Sequence, residues 1–156
     1  MKNKTNFTSI IILNYNGTKF LQDCIDSIIR ETHSSYEIIV VDNDSPDESG
    51  KLFSKKFSEI KFILNKNNVG VPEGLNIGIR NASGDFVVLL NNDLIVMPNW
   101  LENFFKAYDK TGDALYQPKS LKFKDPSILD GTGCMINIFG FGFARDKGLR
   151  DEGKYA

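Results

Sequence analysis

The chain has 156 residues, of which 41% are hydrophobic, 12% aromatic and 25% charged, and this composition is typical of a single folded globular domain. It excludes a disordered chain, a collagen-like chain and a coiled coil. The 19 basic residues nearly balance the 20 acidic ones, which argues against a nucleic-acid partner because the net charge gives no long-range attraction to phosphate.

The N-terminal part of the chain predicts two strand–helix pairs. The β-branched run 8–13 predicts a strand that ends at the turn-forming residues 14–17, and apolar residues at helical spacing follow from Thr18. Residues 37–41 predict the second strand. The sequence 45–48 then predicts a helix start, with serine as the N-cap, proline in the first turn and glutamate closing a capping box.

Two further strand–helix pairs follow. Residues 60–64 predict a third strand, and Pro72 begins a predicted third helix that ends near Gly84. The uninterrupted apolar run 86–90 predicts a fourth strand that is covered on both faces. An apolar stripe from Trp100 predicts the fourth helix. The order of these elements predicts an α/β fold with a mainly parallel sheet and helices on both faces.

After the fourth helix the pattern weakens into short strand-like pieces, at residues 114–117, 121–123 and 135–138. No repeat or low-complexity linker interrupts the chain. We therefore expect one domain over residues 1–156, with a βα core at 1–112 and an incomplete region at 113–156.

The cysteines indicate a reducing compartment. Cys24 and Cys134 are too few for a disulfide framework, and no secretory signal is recognisable at the N-terminus. The longest apolar runs are far shorter than the ~20 residues of a membrane-spanning helix. We therefore expect reduced thiols and a cytoplasmic location.

Polar clusters follow three of the predicted strands, at residues 14–16, 42–44 and 91–93. With the strand order 3-2-1-4, all three clusters lie on the edge of the sheet where parallel folds bind ligands. The clusters supply one aromatic ring, several carboxylates and several amides. A nucleotide diphosphate suits this set, because its base stacks on a ring and its phosphates need a cation held by carboxylate oxygen. The alternative is that these residues are turn formers only.

The first turn separates the nucleotide-binding folds from one another. A dinucleotide-binding protein carries G-x-G-x-x-G there, and a P-loop protein carries G-x-x-x-x-G-K-[ST]. Residues 14–17, Asn-Tyr-Asn-Gly, match neither pattern. The phosphates are therefore not held by a glycine-rich first loop.

The segment 10–17 resembles the opening of a family 2 glycosyltransferase, an inverting enzyme of the GT-A fold. The likeness continues in order: 37–45 resembles the family's E-I-I-V-V-D-x-x-S segment, and 82–85 followed by 89–93 resembles the A-x-G-D stretch that leads into its D-x-D region. Residues 68–70 and 76–78 resemble its two N-x-G stretches. The L-L-N-x-D sequence of this chain is similar to that of the rhamnosyltransferase-like branch.

The resemblance implies roles for individual residues. Tyr15 lies against the nucleotide base with Asn14 beside it, Asp42 accepts from the base edge, and Asp93 is the ligand of Mn²⁺ or Mg²⁺. Asn92 stands where many relatives have the first aspartate, which implies a metal site with one carboxylate. The remaining residues of the implied nucleotide site are Asn16, Asn43, Asn68, Gly70, Asn76, Asn91 and Asn92.

The resemblance also implies the reaction, a transfer of sugar from a UDP- or dTDP-sugar to a glycan or a lipid-linked acceptor with inversion. The family's base comes from a Glu-Asp motif that this sequence lacks, so the base is expected beyond Ala156, with 113–156 as the start of the acceptor side. We rank Asp130, Asp146 and Asp151 as weaker candidates. The chain alone is then expected to bind donor without transferring it.

One alternative from another class stays open. The chain could be a non-catalytic module that holds a nucleotide sugar or a partner. Two further hypotheses concern partners: contact of a lysine-rich face with an anionic membrane, and self-association through the apolar pieces between 121 and 143.

Overall fold

The computed structural model describes residues 6–136, 138 and 141–154. Strands and helices alternate as predicted, and short antiparallel strands follow the fourth helix. The chain divides into two compact units, Met1–Asn103 and Phe104–Ala156. In chain order the elements are β1 (Thr8–Asn14), α1 (Leu21–Glu31), β2 (Tyr36–Asp42), α2 (Ser49–Lys56), β3 (Lys61–Leu64), α3 (Val71–Arg80), β4 (Phe86–Asn91), α4 (Trp100–Thr111), β5 (Ser120–Lys122), β6 (Asp125–Gly131), β7 (Cys134–Ile136) and β8 (Gly142–Ala144).

The first four strands form one parallel sheet in the order β3-β2-β1-β4, the order under which the three polar clusters share one edge. β1 pairs with β2 on one side and with β4 on the other. The ends of these strands are level, because Asn14 lies opposite Asp42 and Leu13 lies opposite Asn91. The carboxyl ends of the three strands therefore open onto one edge of the sheet.

Helices cover both faces of the central strands, as predicted. Successive side chains of a strand point to opposite faces, and Ile10 and Ile12 pack with buried residues of α1 and with Phe53 of α2. Ile11 lies on the other face, where Leu75 of α3 packs against its cluster. Full burial of one such isoleucine contributes about 1.5–3 kcal/mol relative to exposure. The apolar β1 run thus anchors both layers.

The prediction that both faces of the fourth strand are covered is wrong. Val87 and Leu89 of β4 are 42% and 45% exposed. They lie on the face of the sheet that α3 occupies, since Leu89 is level with Ile11. α3 packs against β1 and β2, and β4 lies at the sheet edge beyond its reach. A continuous apolar run does not by itself distinguish a covered strand from an edge strand.

The predicted capping box of the second helix is also wrong. α2 begins at Ser49, and the side chain of its N-cap residue, Glu48, makes no capping hydrogen bond. The hydroxyl of Ser45 donates instead to Asp42 Oδ2 at 2.6 Å. Glu48 precedes the helix in the left-handed region, with φ of 58°. The carboxylate at the end of β2 thus takes the serine hydroxyl that the pattern assigned to the helix.

The third helix is shorter than predicted. α3 ends at Arg80, ahead of Gly84. Gly84 lies in the turn before β4, where an added Cβ would come within 2.6 Å of the backbone nitrogen of Ser9. This glycine therefore permits a close approach of two backbone segments and does not end a helix.

The fourth helix begins with contacts to the end of the first. Trp100 Nε1 donates to Thr32 Oγ1 at 2.9 Å, and Leu101 is fully buried, so the start of α4 packs in the first unit. The structural division falls after Asn103, inside α4. The sequence boundary at residue 112 stays a prediction. Within the described ranges, no helix has the length and apolar character needed to cross a membrane.

The second unit contains the remainder of α4 and two hairpins, in which β5 pairs with β6 and β7 pairs with β8. The predicted strand at 121–123 overlaps β5, whereas residues 114–117 form no strand. The predicted strand at 135–138 overlaps β7, and its residue 137 lies outside the described residues. Among the described residues of this unit, Leu129 is the one hydrophobic side chain that is buried.

A methyl group at Gly78 tests the packing of α3. An added Cβ there would lie 2.4 Å from Ile11 Cγ2 and 3.3 Å from Val41 Cγ2. We expect Gly78→Ala to lower the free energy of unfolding by about 1–3 kcal/mol through overpacking, more than the ~1 kcal/mol that alanine gains in helix propensity. Asn76→Ala, at an exposed position of the same helix, is the control and should not destabilise. Urea unfolding measures both, and a Gly78→Ala chain as stable as the parent would contradict the close approach.

Candidate functional site

The candidate site is the edge of the sheet at the carboxyl ends of β1, β2 and β4. Asn14, Asp42 and Asn91 are the last residues of these strands, and the parallel pairing brings them side by side. Polar strand ends that the sequence separates by dozens of residues thus lie together. Their convergence, predicted from the strand order, is confirmed.

The side chain of Asn14 is the centre of a buried polar network. It is fully buried, and its Nδ2 donates to Asp42 Oδ2 at 2.6 Å and to Ser49 Oγ at 2.8 Å. Its Oδ1 accepts from Asn92 Nδ2 at 2.7 Å. Hydrogen bonds are strengthened in such a poorly solvated place, and leaving one unmade is costly. The network therefore joins the ends of β1 and β2 to the turn after β4.

Asp42 is also buried, with 5% of its surface exposed. Its Oδ1 accepts from the backbone N–H of Ser45 at 3.1 Å, and its Oδ2 accepts from the hydroxyl of Ser45. α2 packs close beside it, because a Cβ at Gly50 would lie 2.3 Å from the carboxyl carbon. Ser45 and Ser49 belong to the network of the candidate site, and the sequence analysis does not identify them. The usable signal was the serine three residues after Asp42, within the matched D-x-x-S segment.

The side chain of Asn43, just after β2, forms hydrogen bonds with the loop before α3. Its Oδ1 accepts from Asn65 Nδ2 at 3.0 Å and from the backbone N–H of Val69 at 3.3 Å. Its Nδ2 donates to Asn68 Oδ1 and to the carbonyl of Gly70, both at 3.1 Å. Hydrogen bonds thus join three of the predicted site residues, Asn43, Asn68 and Gly70. The bonds of Asn43 and Asn68 fix the conformation of the loop before α3.

The open part of the site is formed by side chains at the ends of β1 and β4. Tyr15 is 47% exposed and Asp93 is exposed in the turn after β4. Asn16, also exposed, has a left-handed φ of 56°. Asn76 is exposed on α3. The network residues therefore lie beneath a rim whose accessible groups are an aromatic ring, amides and one carboxylate.

Asp47 holds the first loop against α2. Its Oδ2 accepts from the backbone N–H of Thr18 at 2.9 Å, and its Oδ1 accepts from the N–H of Ser49 at 3.0 Å. Partial burial raises its pKa, but the hydrogen bonds from Thr18 and Ser49 outweigh burial and lower the pKa of Asp47 to about 2. The carboxylate is ionised at neutral pH and clamps the two loops together.

Three consecutive residues at the end of β4 and in the turn after it carry oxygen donors for a cation. Asp93 contributes a carboxylate, and the neighbouring Asn91 and Asn92 contribute amide oxygens, which are the donor types that Mg²⁺ and Mn²⁺ prefer. Within the residues that the structure describes, no three His, Cys, Asp or Glu side chains group together. A cation at this turn would therefore have a single carboxylate ligand, that of Asp93.

Each carboxylate that we rank as a weaker base candidate lies near a lysine or arginine side chain. Asp130 lies 3.5 Å from Lys147 Nζ, and Asp151 lies 2.7 Å from Lys119 Nζ. The hydrogen bond from Lys119 lowers the pKa of Asp151, which weakens it as a base. Asp146 Oδ2 accepts from the hydroxyl of Thr132 at 2.9 Å and lies 3.9 Å from Arg145 Nε.

Cys24 lies beneath the end of β4, next to the candidate site. Its Sγ is 3.7 Å from the carbonyl oxygen of Asn91. Burial raises the pKa of Cys24 to about 12, with the negative charge of Asp93 adding to the increase. The thiol is therefore protonated and shielded at neutral pH.

The two cysteines should differ in reactivity by a large factor. Cys134 is exposed, so we expect a coloured disulfide reagent at pH 8 to modify it quickly and to leave Cys24 unmodified until the chain unfolds. Cys134→Ser should abolish the fast phase, and Cys24→Ser should leave it unchanged. Fast modification of two thiols in the folded chain would contradict the packing of α1 against β4.

Several known glycosyltransferases are similar to this chain. The family described as Glycosyl transferase family 2 matches residues 9–150. The glycosyltransferase GlyG of Streptococcus pneumoniae serotype 4 is 30% identical over 111 residues, which are 69% of this chain and 37% of that protein. An uncharacterized glycosyltransferase of Haemophilus influenzae is 34% identical over 105 residues, which are 65% of this chain and 32% of that protein. The chain thus spans much less than the full length of these relatives.

A solved structure has the same architecture. The crystal structure of Staphylococcus aureus TarS 1-349 in complex with UDP superposes with a TM-score of 0.59 at 21% identity, over 70% of this chain and 38% of that one. This likeness confirms the expected GT-A fold. Because the family match extends over residues 9–150, the chain belongs to glycosyltransferase family 2.

Proposed function

We propose that this chain binds a nucleotide-sugar donor, a UDP- or dTDP-sugar, at the edge formed by the ends of β1, β2 and β4. The observation that carries the proposal is the position of Tyr15, Asp42 and Asp93 at three neighbouring strand ends. These residues supply an aromatic face, an acceptor and a cation ligand, which a nucleotide diphosphate needs. TarS, crystallised with UDP and with UDP-GlcNAc, supports the proposal by its likeness in fold.

Recognition of the base is assigned to Tyr15 and Asp42. The half-exposed ring of Tyr15 offers a stacking face. Asp42 Oδ1 accepts one hydrogen bond, from the N–H of Ser45, and a carboxylate oxygen can accept two. A uracil or thymine N3–H matches this free acceptor position, whereas the unprotonated N3 of cytosine repels it.

The diphosphate is assigned to the turn after β4. Asp93 would hold Mn²⁺ or Mg²⁺, and the cation would neutralise the charge that develops on the departing nucleotide diphosphate. Asp93 is exposed, so its carboxylate is available to an incoming ligand. Its single negative charge is small against that of a diphosphate, so metal and nucleotide should bind together.

The reaction proposed for the whole protein is a single displacement. The acceptor hydroxyl, on a glycan or a lipid-linked precursor, attacks the anomeric carbon while a carboxylate takes its proton. The bond from that carbon to the diphosphate oxygen breaks, and the configuration inverts. We assign the base to none of Asp130, Asp146 and Asp151, because cationic side chains lie beside all three. Donor binding is the part of the reaction that we assign to the described residues.

Metal-dependent nucleotide binding tests the proposal. Calorimetric titration with UDP or dTDP should give binding that requires Mn²⁺ or Mg²⁺. Asp93→Asn should weaken it by about tenfold or more, because it removes the carboxylate that offsets the cation. Asp109→Asn, an exposed change of equal charge on α4, is the matched control. Equal affinity of the parent and Asp93→Asn chains would refute the assignment of the metal.

The base preference is a separate prediction. UDP and dTDP should bind better than CDP, and Tyr15→Ala should weaken UDP binding by about tenfold, since base–aromatic stacking contributes ~1–3 kcal/mol. Tyr15→Phe keeps the ring and should bind UDP like the parent. Competition titrations measure these affinities. If CDP competes as well as UDP, Asp42 does not read the base edge.

A further inference from the structure

Hydrogen-bond chemistry fixes the direction of the chain Asp42–Asn14–Asn92. A carboxylate accepts hydrogen bonds and cannot donate one when ionised. The end of the Asn14 amide that lies 2.6 Å from Asp42 Oδ2 must therefore be its NH₂ group. Consequently the carbonyl oxygen of Asn14 faces Asn92. This orientation follows from the partners and not from a choice between two similar atoms.

Asn92 must then supply a donor. Its Nδ2 lies 2.7 Å from Asn14 Oδ1 and 3.4 Å from the carbonyl oxygen of Tyr15. Both of these atoms only accept hydrogen bonds, so the group at this position has to be a donor. One amide thus reaches the end of β1 at two points. It connects the segment that carries Tyr15 to the turn that carries Asp93.

Glycines enclose this chain of hydrogen bonds at both ends. A Cβ at Gly17 would lie 1.9 Å from Asn14 Oδ1 and 2.8 Å from Asn92 Nδ2. At the other end, a Cβ at Gly50 would lie 2.3 Å from the carboxyl carbon of Asp42. The backbone at Gly17 therefore lies against the amide oxygen of Asn14, whose side chain is fully buried. A missing donor at residue 92 would leave the buried Asn14 oxygen unsatisfied.

We infer that Asn92 is a positioning residue, an obligatory hydrogen-bond donor that sets Asp93 in register with Tyr15 across the site. The importance of this register for ligands rests on the proposed function. An aspartate at residue 92 would not add a second metal ligand at no cost. Its carboxylate would face Asn14 Oδ1, and turning the Asn14 amide over would only move the conflict to Asp42.

The same argument predicts a rescue. If Asp42 becomes asparagine and Asn92 becomes aspartate, the Asn14 amide can turn over. Asn14 then donates to the carboxylate at residue 92 and accepts from the amide at residue 42. The two hydrogen bonds of the Asn14 amide to residues 42 and 92 are reversed and kept, and the hydroxyls of Ser45 and Ser49 can turn to match. The longer bond from residue 92 to the carbonyl of Tyr15 is lost, so the rescue is not complete. A role that depended only on side-chain size would give no such rescue.

The test is a double-substitution cycle on the full chain, followed by urea unfolding. We expect Asn92→Asp to lower the ratio of folded to unfolded chain by about tenfold or more. Asn91→Asp adds the same charge at the neighbouring exposed position and should change that ratio by less than about threefold. The double variant Asp42→Asn/Asn92→Asp should recover most of the loss. If Asn92→Asp does not fold at all, recovery of a folded double variant is the supporting result.

Two outcomes overturn the inference. The first is an Asn92→Asp chain as stable as Asn91→Asp, and the second is a double variant whose losses simply add. Positioning is measured with Asn92→Leu, which removes the donor without adding charge. At a temperature where it is fully folded, it should bind UDP with Mn²⁺ about tenfold more weakly than the parent, and equal binding refutes positioning. A parent chain that binds no nucleotide refutes the proposed function, while the stability cycle still decides the hydrogen-bond chain.

Discussion

The buried amide of Asn14 is the interaction on which the candidate site depends. Its side chain bonds to both neighbouring strand ends, through Asp42 on β2 and Asn92 after β4. A buried amide is stabilising only when its donors and acceptors are satisfied. The exposed Tyr15 and Asp93 therefore adjoin residues that this buried network joins. The site has two layers, exposed groups above and a buried network below, and Asp42 belongs to the network as well as to the proposed base contact.

Much of the fold could be predicted because β1, β2 and β4 are coded by local apolar runs that end in polar residues. The strand order then brought Asn14, Asp42 and Asn91 to one edge, as the structure has it. The edge position of β4 was missed, because Val87 and Leu89 are apolar although α3 does not cover them. The local sequence predicts that a segment forms a strand, but it does not show which helices pack against that strand.

The positioning layer could not be predicted for the same reason. Ser49 is 35 residues from Asn14 along the chain, and Asn92 is 78 residues from it. A serine before a helix was read as an N-cap, yet Ser45 donates to Asp42 in the folded chain. Local capping competes with a stronger charged acceptor that arrives through tertiary structure. The sequence thus predicts the residues with binding chemistry better than it predicts the residues that hydrogen-bond to them from distant parts of the chain.

The uneven burial of the two compact units has a consequence for cooperativity. The first unit has a hydrophobic core on each face of its sheet. In the second unit, one hydrophobic side chain among the described residues is buried, that of Leu129. Ordering a residue costs about 1–2 kcal/mol of backbone entropy, and one buried leucine offsets little of that cost. We therefore expect unfolding that is not all-or-none, in which the hairpins lose order at lower denaturant than the parallel sheet.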